Sequence, residues 1–398
     1  MKESALYIHI PFCDHKCIYC DFYSIITEDN IQPFLKSVKK EIEYYSNFYS
    51  HDRIYTSIFF GGGTPSLMEP KYLEEIINSL NKNFKISNDV EITMETNPGT
   101  VSKSKLKDFL QIGINRISIG VQSFDDDDLK FLTRIHDNQT AIDTVNNAYA
   151  IGFKNISLDL IFNLPGQTKK KWIHNLETAL SFPINHISAY SLILERGTIL
   201  NKMAIEGKVK IQDEDYDAEL YELTIDYLIS KKFYQYEVSN FCKPGYECRH
   251  NNAYWRYKDY LSFGTSAHSF INGKRWWNFS SLKKYIFEIE SKGNAVANYE
   301  ILNEEQKFNE YIMLALRSKG IDLNEFRNIA RCEPLRDKVS NINISHEMVR
   351  NFTEWLDKNY SYLKKLNSKS FLNMSSDFIS LTKQGYAVCD EIIKNLVL

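Results

Sequence analysis

Cys13, Cys17 and Cys20 fall within eight residues of one another near the start of the chain. Their C-x3-C-x2-C spacing puts three thiolates on one short loop, a donor set suited to a soft metal centre. Two kinds of centre are open. Structural zinc takes four ligands, usually as two separated pairs. No second cysteine pair follows here, although His9, His15 or Asp21 could supply a fourth ligand. A 4Fe-4S cluster held by three thiolates keeps one iron open. The amino and carboxylate groups of S-adenosylmethionine (SAM) can chelate such an iron, which places its sulfonium beside an electron source and allows one-electron cleavage to an adenosyl radical.

Further polar residues recur downstream at intervals. Gly61, Gly62 and Gly63 precede Thr64, and bare backbone there lets a ligand's amino group approach closely. Glu95 and Asp159 sit where strand-like runs end, and each carboxylate can accept bonds from ribose hydroxyls or an ammonium. Arg134 offers a planar guanidinium matched to a carboxylate. Gln122 offers both a donor and an acceptor.

Elements must hold these groups together. Ala5–Phe12, Ile54–Phe60, Val90–Glu95, Arg116–Val121, Asn155–Phe162 and His186–Leu194 are short, apolar on both faces and rich in Ile, Val, Phe and Tyr. Buried parallel strands read this way. Amphipathic stretches lie between them. Ser102 caps one over Lys103–Gln111 that Gly113 stops, and Thr168 caps another reaching Ser181, with Pro183 beyond. Six such units predict an α/β fold, a partial (β/α)6 TIM-like barrel whose working groups gather at the C-terminal strand ends.

The motifs carry a resemblance. Tyr7-Ile-His-Ile-Pro-Phe-Cys13 and Tyr19-Cys20-Asp-Phe22 are similar to the radical SAM superfamily, in its oxygen-independent coproporphyrinogen oxidase-like branch. Gly61 to Pro65, Glu95-Thr-Asn-Pro98, Gly120 to Phe124, Arg134-x-His136 and Asp159 to Gly166 match in order. The resemblance implies a 4Fe-4S cluster on Cys13, Cys17 and Cys20. It implies SAM against Gly62, Gly63, Thr64, Glu95, Gln122, Arg134 and Asp159, with Tyr7 and Tyr19 as aromatic positions near the ligand. Simple core packing is the alternative for both tyrosines.

Two departures separate this chain from the oxidase. Phe22 stands where the oxidase pattern carries a further cysteine, and the first strand begins within a few residues of the N-terminus. Both match the HemW-type heme-chaperone branch. So does His250-Asn-Asn-Ala-Tyr254-Trp255, an H-N-x-x-Y-W element of that branch. An imidazole can ligate heme iron, and Tyr254 and Trp255 supply flat apolar surface. A hydrogen-bonded core histidine is the alternative for His250, and Cys248 is a rival ligand. The implied function is heme binding and transfer to unidentified acceptor proteins, with an electron donor serving the cluster. The other function class left open is a radical enzyme acting on a tetrapyrrole, by coproporphyrinogen III oxidation or heme ring-opening.

At 398 residues the chain accommodates a large domain and an appendage. The reading divides it into a radical SAM core over 1–235, a connecting segment with the heme-like motif over 236–300, and a small helical or winged module over 301–398. A net charge of −3 and no basic recognition helix speak against nucleic acid. No apolar run nears the ~20 residues of a membrane span, and no signal peptide precedes the first strand. Seven cysteines, an odd number with three clustered, argue against a disulfide framework. Cys242, Cys332 and Cys389 read as buried structural residues. A cytoplasmic protein is expected.

Overall fold

The computed structural model describes residues 1–26, 29–331 and 344–397. Six strands come first: β1 (Lys2–Ile10), β2 (Arg53–Gly62), β3 (Ile86–Thr96), β4 (Arg116–Gln122), β5 (Asn155–Phe162) and β6 (His186–Ser191). Each pairs in parallel with the next. The helices between them are α1 (Ile31–Tyr49), α2 (Pro70–Asn83), α3 (Lys103–Gln111), α4 (Asp126–Phe131), α5 (Asn138–Ile151) and α6 (Lys169–Leu180). Their ends follow sequence chemistry. Ser102 accepts from the Lys105 amide and Thr168 from the Lys171 amide, so each satisfies one orphan donor of its helix. Pro11 stops β1 one residue past Ile10, because it has no N–H for the ladder.

The helices bury one face each against the sheet. From α2 come Leu73, Ile76, Ile77 and Leu80, and from α1 Phe34, Leu35, Val38 and Ile42. Full burial of each such side chain contributes about 1.5–3 kcal/mol. The helices cover the outer face alone, and the strands are not apolar on both faces as expected: Ser118, Ser157, Asp159, His186 and Ser188 fall at alternate positions of β4, β5 and β6 and supply a polar inner face.

After α7 (Ile199–Ile205) and α8 (Glu214–Ser230) come β7 (Tyr234–Glu237), β8 (Asn240–Cys242), α9 (Arg249–Trp255), β9 (Tyr260–Phe263), β10 (His268–Ile271), β11 (Lys274–Asn278), α10 (Leu282–Lys292) and β12 (Val296–Ile301). Among the described residues these strands extend the same sheet at both ends, in the order β12-β11-β10-β9-β1-β2-β3-β4-β5-β6-β8-β7. β7 and β8 form an antiparallel hairpin. The Glu237 carboxylate accepts from the Ser239 amide at 3.1 Å and turns the chain there. Likewise β6 ends at Ser191, short of Leu194, because the chain leaves the sheet after the Leu192 amide reaches the Phe162 carbonyl.

The C-terminal module comprises α11 (Glu304–Leu316), β13 (Ile321–Asp322), α12 (Leu323–Arg331), α13 (His346–Ser368), β14 (Leu372–Met374), β15 (Phe378–Leu381), α14 (Lys383–Ala387) and α15 (Cys389–Leu396). The three short strands form a second small sheet, β13-β15-β14. Its own core includes Phe308, Phe352, Trp355, Leu363 and Ile392, and the Trp355 indole donates to the Leu396 carbonyl at 2.6 Å. α13 continues through Ser368, and within it the Asn359 amide donates to the Trp355 carbonyl at 2.9 Å. Cys242 and Cys389 are buried, while Cys332 lies outside the described residues. No described helix is long and apolar enough to cross a membrane.

Candidate functional site

The three cysteines ride on a loop closed at its neck. The Cys13 amide donates to the Ile25 carbonyl at 3.0 Å and the Ile25 amide to the Pro11 carbonyl at 2.7 Å. Inside the loop the Cys20 amide turns back onto the Cys17 carbonyl at 3.2 Å. All three thiols are free; Cys17 is buried, and Cys13 and Cys20 are half-buried. Burial raises the Cys20 pKa, and Cys17 and Cys13 add to the rise, so the three sulfurs share one electrostatic neighbourhood. Among the described residues no three His, Cys, Asp or Glu side chains converge on a point that a single ion could occupy. Of the three residues that could complete a zinc site, His9 is already engaged. His9 has one ring nitrogen 2.9 Å from the Tyr23 carbonyl and the other 3.2 Å from the Tyr7 hydroxyl. Three free thiols on one loop, two of them half-buried, suit a cluster whose irons each take one thiolate.

The glycine run meets the loop directly. Gly63 donates to the Ile10 carbonyl and Thr64 to the Phe12 carbonyl, each at 2.8 Å. A Cβ on Gly63 would lie 2.5 Å from the Phe12 carbonyl oxygen, which only glycine avoids. Thr64, 2 % exposed, has its hydroxyl 3.2 Å from Cys13 Sγ. Gly62 and Gly61 are the last two residues of β2, so the strand itself delivers the run to the loop.

Arg134 is the hub of the pocket. Its Nη2 donates to Asn97 Oδ1 at 2.7 Å and to the Gly120 carbonyl at 2.9 Å. Its Nη1 faces Tyr19 Oη at 3.5 Å and Cys17 Sγ at 3.7 Å. Its Nε is buried without a partner among the described residues, an unspent donor beside the cysteines. Sequence spacing suggested that Glu95, Gln122, Arg134 and Asp159 each end a β/α unit, and the structure corrects this. Glu95 and Gln122 do lie at the ends of β3 and β4. Arg134 instead lies beyond α4, in a turn that Thr133 makes with φ 56°. Asp159 sits inside β5, where its carboxylate oxygens accept from the Ser118 hydroxyl of β4. Asn97 was not singled out; it joins Arg134 to Thr64, with its Nδ2 donating to Oγ1 at 2.9 Å.

Glu95 accepts from the Gly62 amide at 3.2 Å. Burial pushes its carboxyl up to about 8, and Asp159 nearby adds to the rise. Asp159 is raised as well, chiefly by burial, while the Ser188 and Ser118 hydroxyls oppose the shift. Two neighbouring carboxyls that resist ionisation are ready to receive a cation. Gln122 adopts a left-handed backbone (φ 67°) and lays its side chain against Gly120.

The second group of residues lies on α9, packed against β1 and β2. His250 is 1 % exposed, stacked on Phe59 at 4.9 Å and on Tyr7 at 6.0 Å between ring centroids. Burial lowers its pKa to about 3, so the ring is neutral with a lone pair on one nitrogen. Tyr254 and Trp255 are half-buried. Cys248 is fully buried 3.6 Å from a Glu91 carboxylate oxygen, and burial pushes its thiol up to about 12. A thiol held protonated is a poor metal ligand. Tyr7 therefore borders both groups: its ring stacks on His250, and the Glu95 carboxyl lies in its electrostatic surroundings.

A model described as the radical SAM superfamily matches residues 7–179. The chain is 34 % identical over 392 residues to the "Heme chaperone HemW" of Bacillus subtilis, covering 98 % of this chain and 97 % of that one. It is 36 % identical over 270 residues to the protein of the same name from Escherichia coli, covering 66 % and 69 %. Among solved structures it resembles the coproporphyrinogen III oxidase HemN of Escherichia coli, described as a radical SAM enzyme. The TM-score is 0.80 at 21 % identity, over 100 % of this chain and 90 % of that one. At that identity the likeness speaks for the fold.

Proposed function

The chain belongs to the HemW family of the radical SAM superfamily, and from that premise we propose that it binds heme and passes it to acceptor proteins. The observation that carries this reading is the end-to-end match to a relative named as a heme chaperone. His250, Tyr254 and Trp255 would form the heme site within 236–300. Cys13, Cys17 and Cys20 would hold a 4Fe-4S cluster, and residues 1–235 would bind SAM beside it. The module over 301–398 would serve as a packing partner. Free thiols suit a cytoplasmic, reducing setting.

When bound, the cluster and SAM supply one-electron chemistry at the barrel mouth, with electrons from a separate donor. The chain's own residues do the binding. Arg134 would orient the SAM carboxylate, and Glu95 with Asp159 would receive hydroxyls or the ammonium. Gly62, Gly63 and Thr64 would line the methionine end, Gln122 would offer SAM a donor and an acceptor, and Tyr7 and Tyr19 would wall the site. Phe22, in the place of a further cysteine, leaves the loop without the extra thiol of the oxidase pattern.

The test is to mix anaerobically reconstituted protein separately with heme and with coproporphyrinogen III, in the presence of SAM and a reductant. A Soret band that titrates to saturation, without protoporphyrinogen IX above the no-protein control, is the expected result. Turnover of coproporphyrinogen III would overturn the reading in favour of an enzyme.

A further inference from the structure

Both nitrogens of the His250 ring are already engaged. Nδ1 lies 3.2 Å from Ser57 Oγ, and Nε2 lies 2.8 Å from the Tyr254 hydroxyl. Ser57 sits on β2, is 1 % exposed, and has no other side-chain contact to occupy it among the described residues. Of the two hydroxyls the phenol is the more acidic, so it is the better donor to the imidazole lone pair. That assigns the proton to Nδ1, which donates to Ser57, and leaves Nε2 as the acceptor of the Tyr254 O–H. The lone pair that a heme iron needs is therefore occupied by a neighbouring side chain.

The two partners differ in freedom. Ser57 is fixed in a strand at the centre of the sheet, with strands paired on either side. Tyr254 stands near the end of α9, a helix of seven residues, and is only half-buried. Its ring meets Tyr260 edge-on at 4.5 Å and His250 at 4.8 Å. Tyr7, stacked on the same histidine, reaches His9 with its hydroxyl at 3.2 Å, so this aromatic cluster adjoins the strand that leads into the cysteine loop. Nδ1 thus has a rigid partner and Nε2 a removable one.

Resting on the heme reading above, we propose that Tyr254 gates the axial nitrogen and that Ser57 is the positioning residue that presents it. On heme binding the Tyr254 O–H···Nε2 bond breaks and an Fe–Nε2 bond forms on the same lone pair. The proton stays on Nδ1, still donated to Ser57 Oγ, and no electron moves. Metal-bound histidines are oriented in this way by an acceptor on the far nitrogen.

The test titrates heme into the full-length protein with its cluster reconstituted, following the Soret band and the EPR of the ferric heme. Tyr254→Phe keeps the ring and removes the competing hydrogen bond, and should raise heme affinity roughly two- to ten-fold. Ser57→Ala should weaken heme binding roughly ten- to hundred-fold and move the EPR g-values, and Ser57→Thr should restore them. His250→Ala serves as the reference. If it leaves the Soret band and affinity intact, the heme assignment itself fails. If His250→Ala removes the band while Tyr254→Phe weakens binding, Tyr254 is a ligand or wall and the gate is overturned. Unchanged g-values in Ser57→Ala would overturn the positioning role.

Discussion

Among single residues, the sulfurs and the charged groups around them make the sharpest demands. Replacing Cys13, Cys17 or Cys20 with alanine should abolish the iron–sulfur absorbance of anaerobically reconstituted protein, since a cubane with two protein ligands is poorly held. Normal iron and sulfide content in all three variants would falsify the assignment. Arg134→Ala removes a charge-assisted contact, worth about 1.5–3 kcal/mol, and should cost roughly ten- to hundred-fold in SAM affinity by calorimetry while the cluster stays. Glu95 adds a pH signature. Its carboxyl, pushed up to about 8, is mostly protonated at neutral pH. A cationic ligand needs the carboxylate, so SAM affinity should rise between pH 6 and 9 with release of a proton. Glu95→Gln should bind more weakly and lose that rise. A flat profile in the unaltered protein would remove Glu95 from the cation site.

At the level of elements, the approach of β2 to the cysteine loop is the constraint with least slack. A Cβ at Gly63 would lie 2.5 Å from the Phe12 carbonyl, and backbone cannot yield as a side-chain tip would. Gly63→Ala should therefore push the loop off the strand end, at a cost of about 1–3 kcal/mol in overpacking. Lower thermal stability and faster loss of the cluster to a chelator are the expected results. Gly197→Ala makes a control, because no atom lies within 4 Å of its added carbon, although its φ of +94° carries strain of its own. If both variants lose the cluster equally fast, steric contact with the loop is not the cause.

Across the whole molecule, buried titratable groups set opposing pH limits. Burial pushes Glu41 and Glu237 up to about 7 and Glu95 to about 8. Unfolding lets each ionise near the ordinary carboxylate value, so their contribution to stability is present at acid pH and lost as pH rises to 7–8. Burial lowers His9 and His136 to about 4 and His250 to about 3. These rings gain protons on unfolding below about 6.5, so their contribution is lost as pH falls from there toward 4. Between about 5 and 6.5 the two trends oppose one another. The chemical-unfolding midpoint of the cluster-free protein should be level across that range and fall toward pH 8. Glu237→Gln should lessen that fall, since the Glu237 oxygen without a partner then carries an amide and no longer ionises. An equal fall in the variant would exclude Glu237 as a source.

The sequence alone determined what local chemistry determines. The three-cysteine spacing, the glycine run and the order of β/α units are short-range patterns, and so were the caps at Ser102 and Thr168. The HemW resemblance rested on the same short motifs. Tertiary structure decided what depends on distant segments meeting. Asn97 bridges Arg134 to Thr64 only because β3, the turn after α4 and the end of β2 converge. The sealing of His250 by Ser57 and Tyr254 joins residues 193 positions apart, and no spacing rule reads such a contact. Asp159 accepts from the Ser118 hydroxyl because parallel pairing sets β4 against β5, a register that no single strand states. A residue's type and spacing state what it is able to do, and its burial and partners decide which of those things remains open to it.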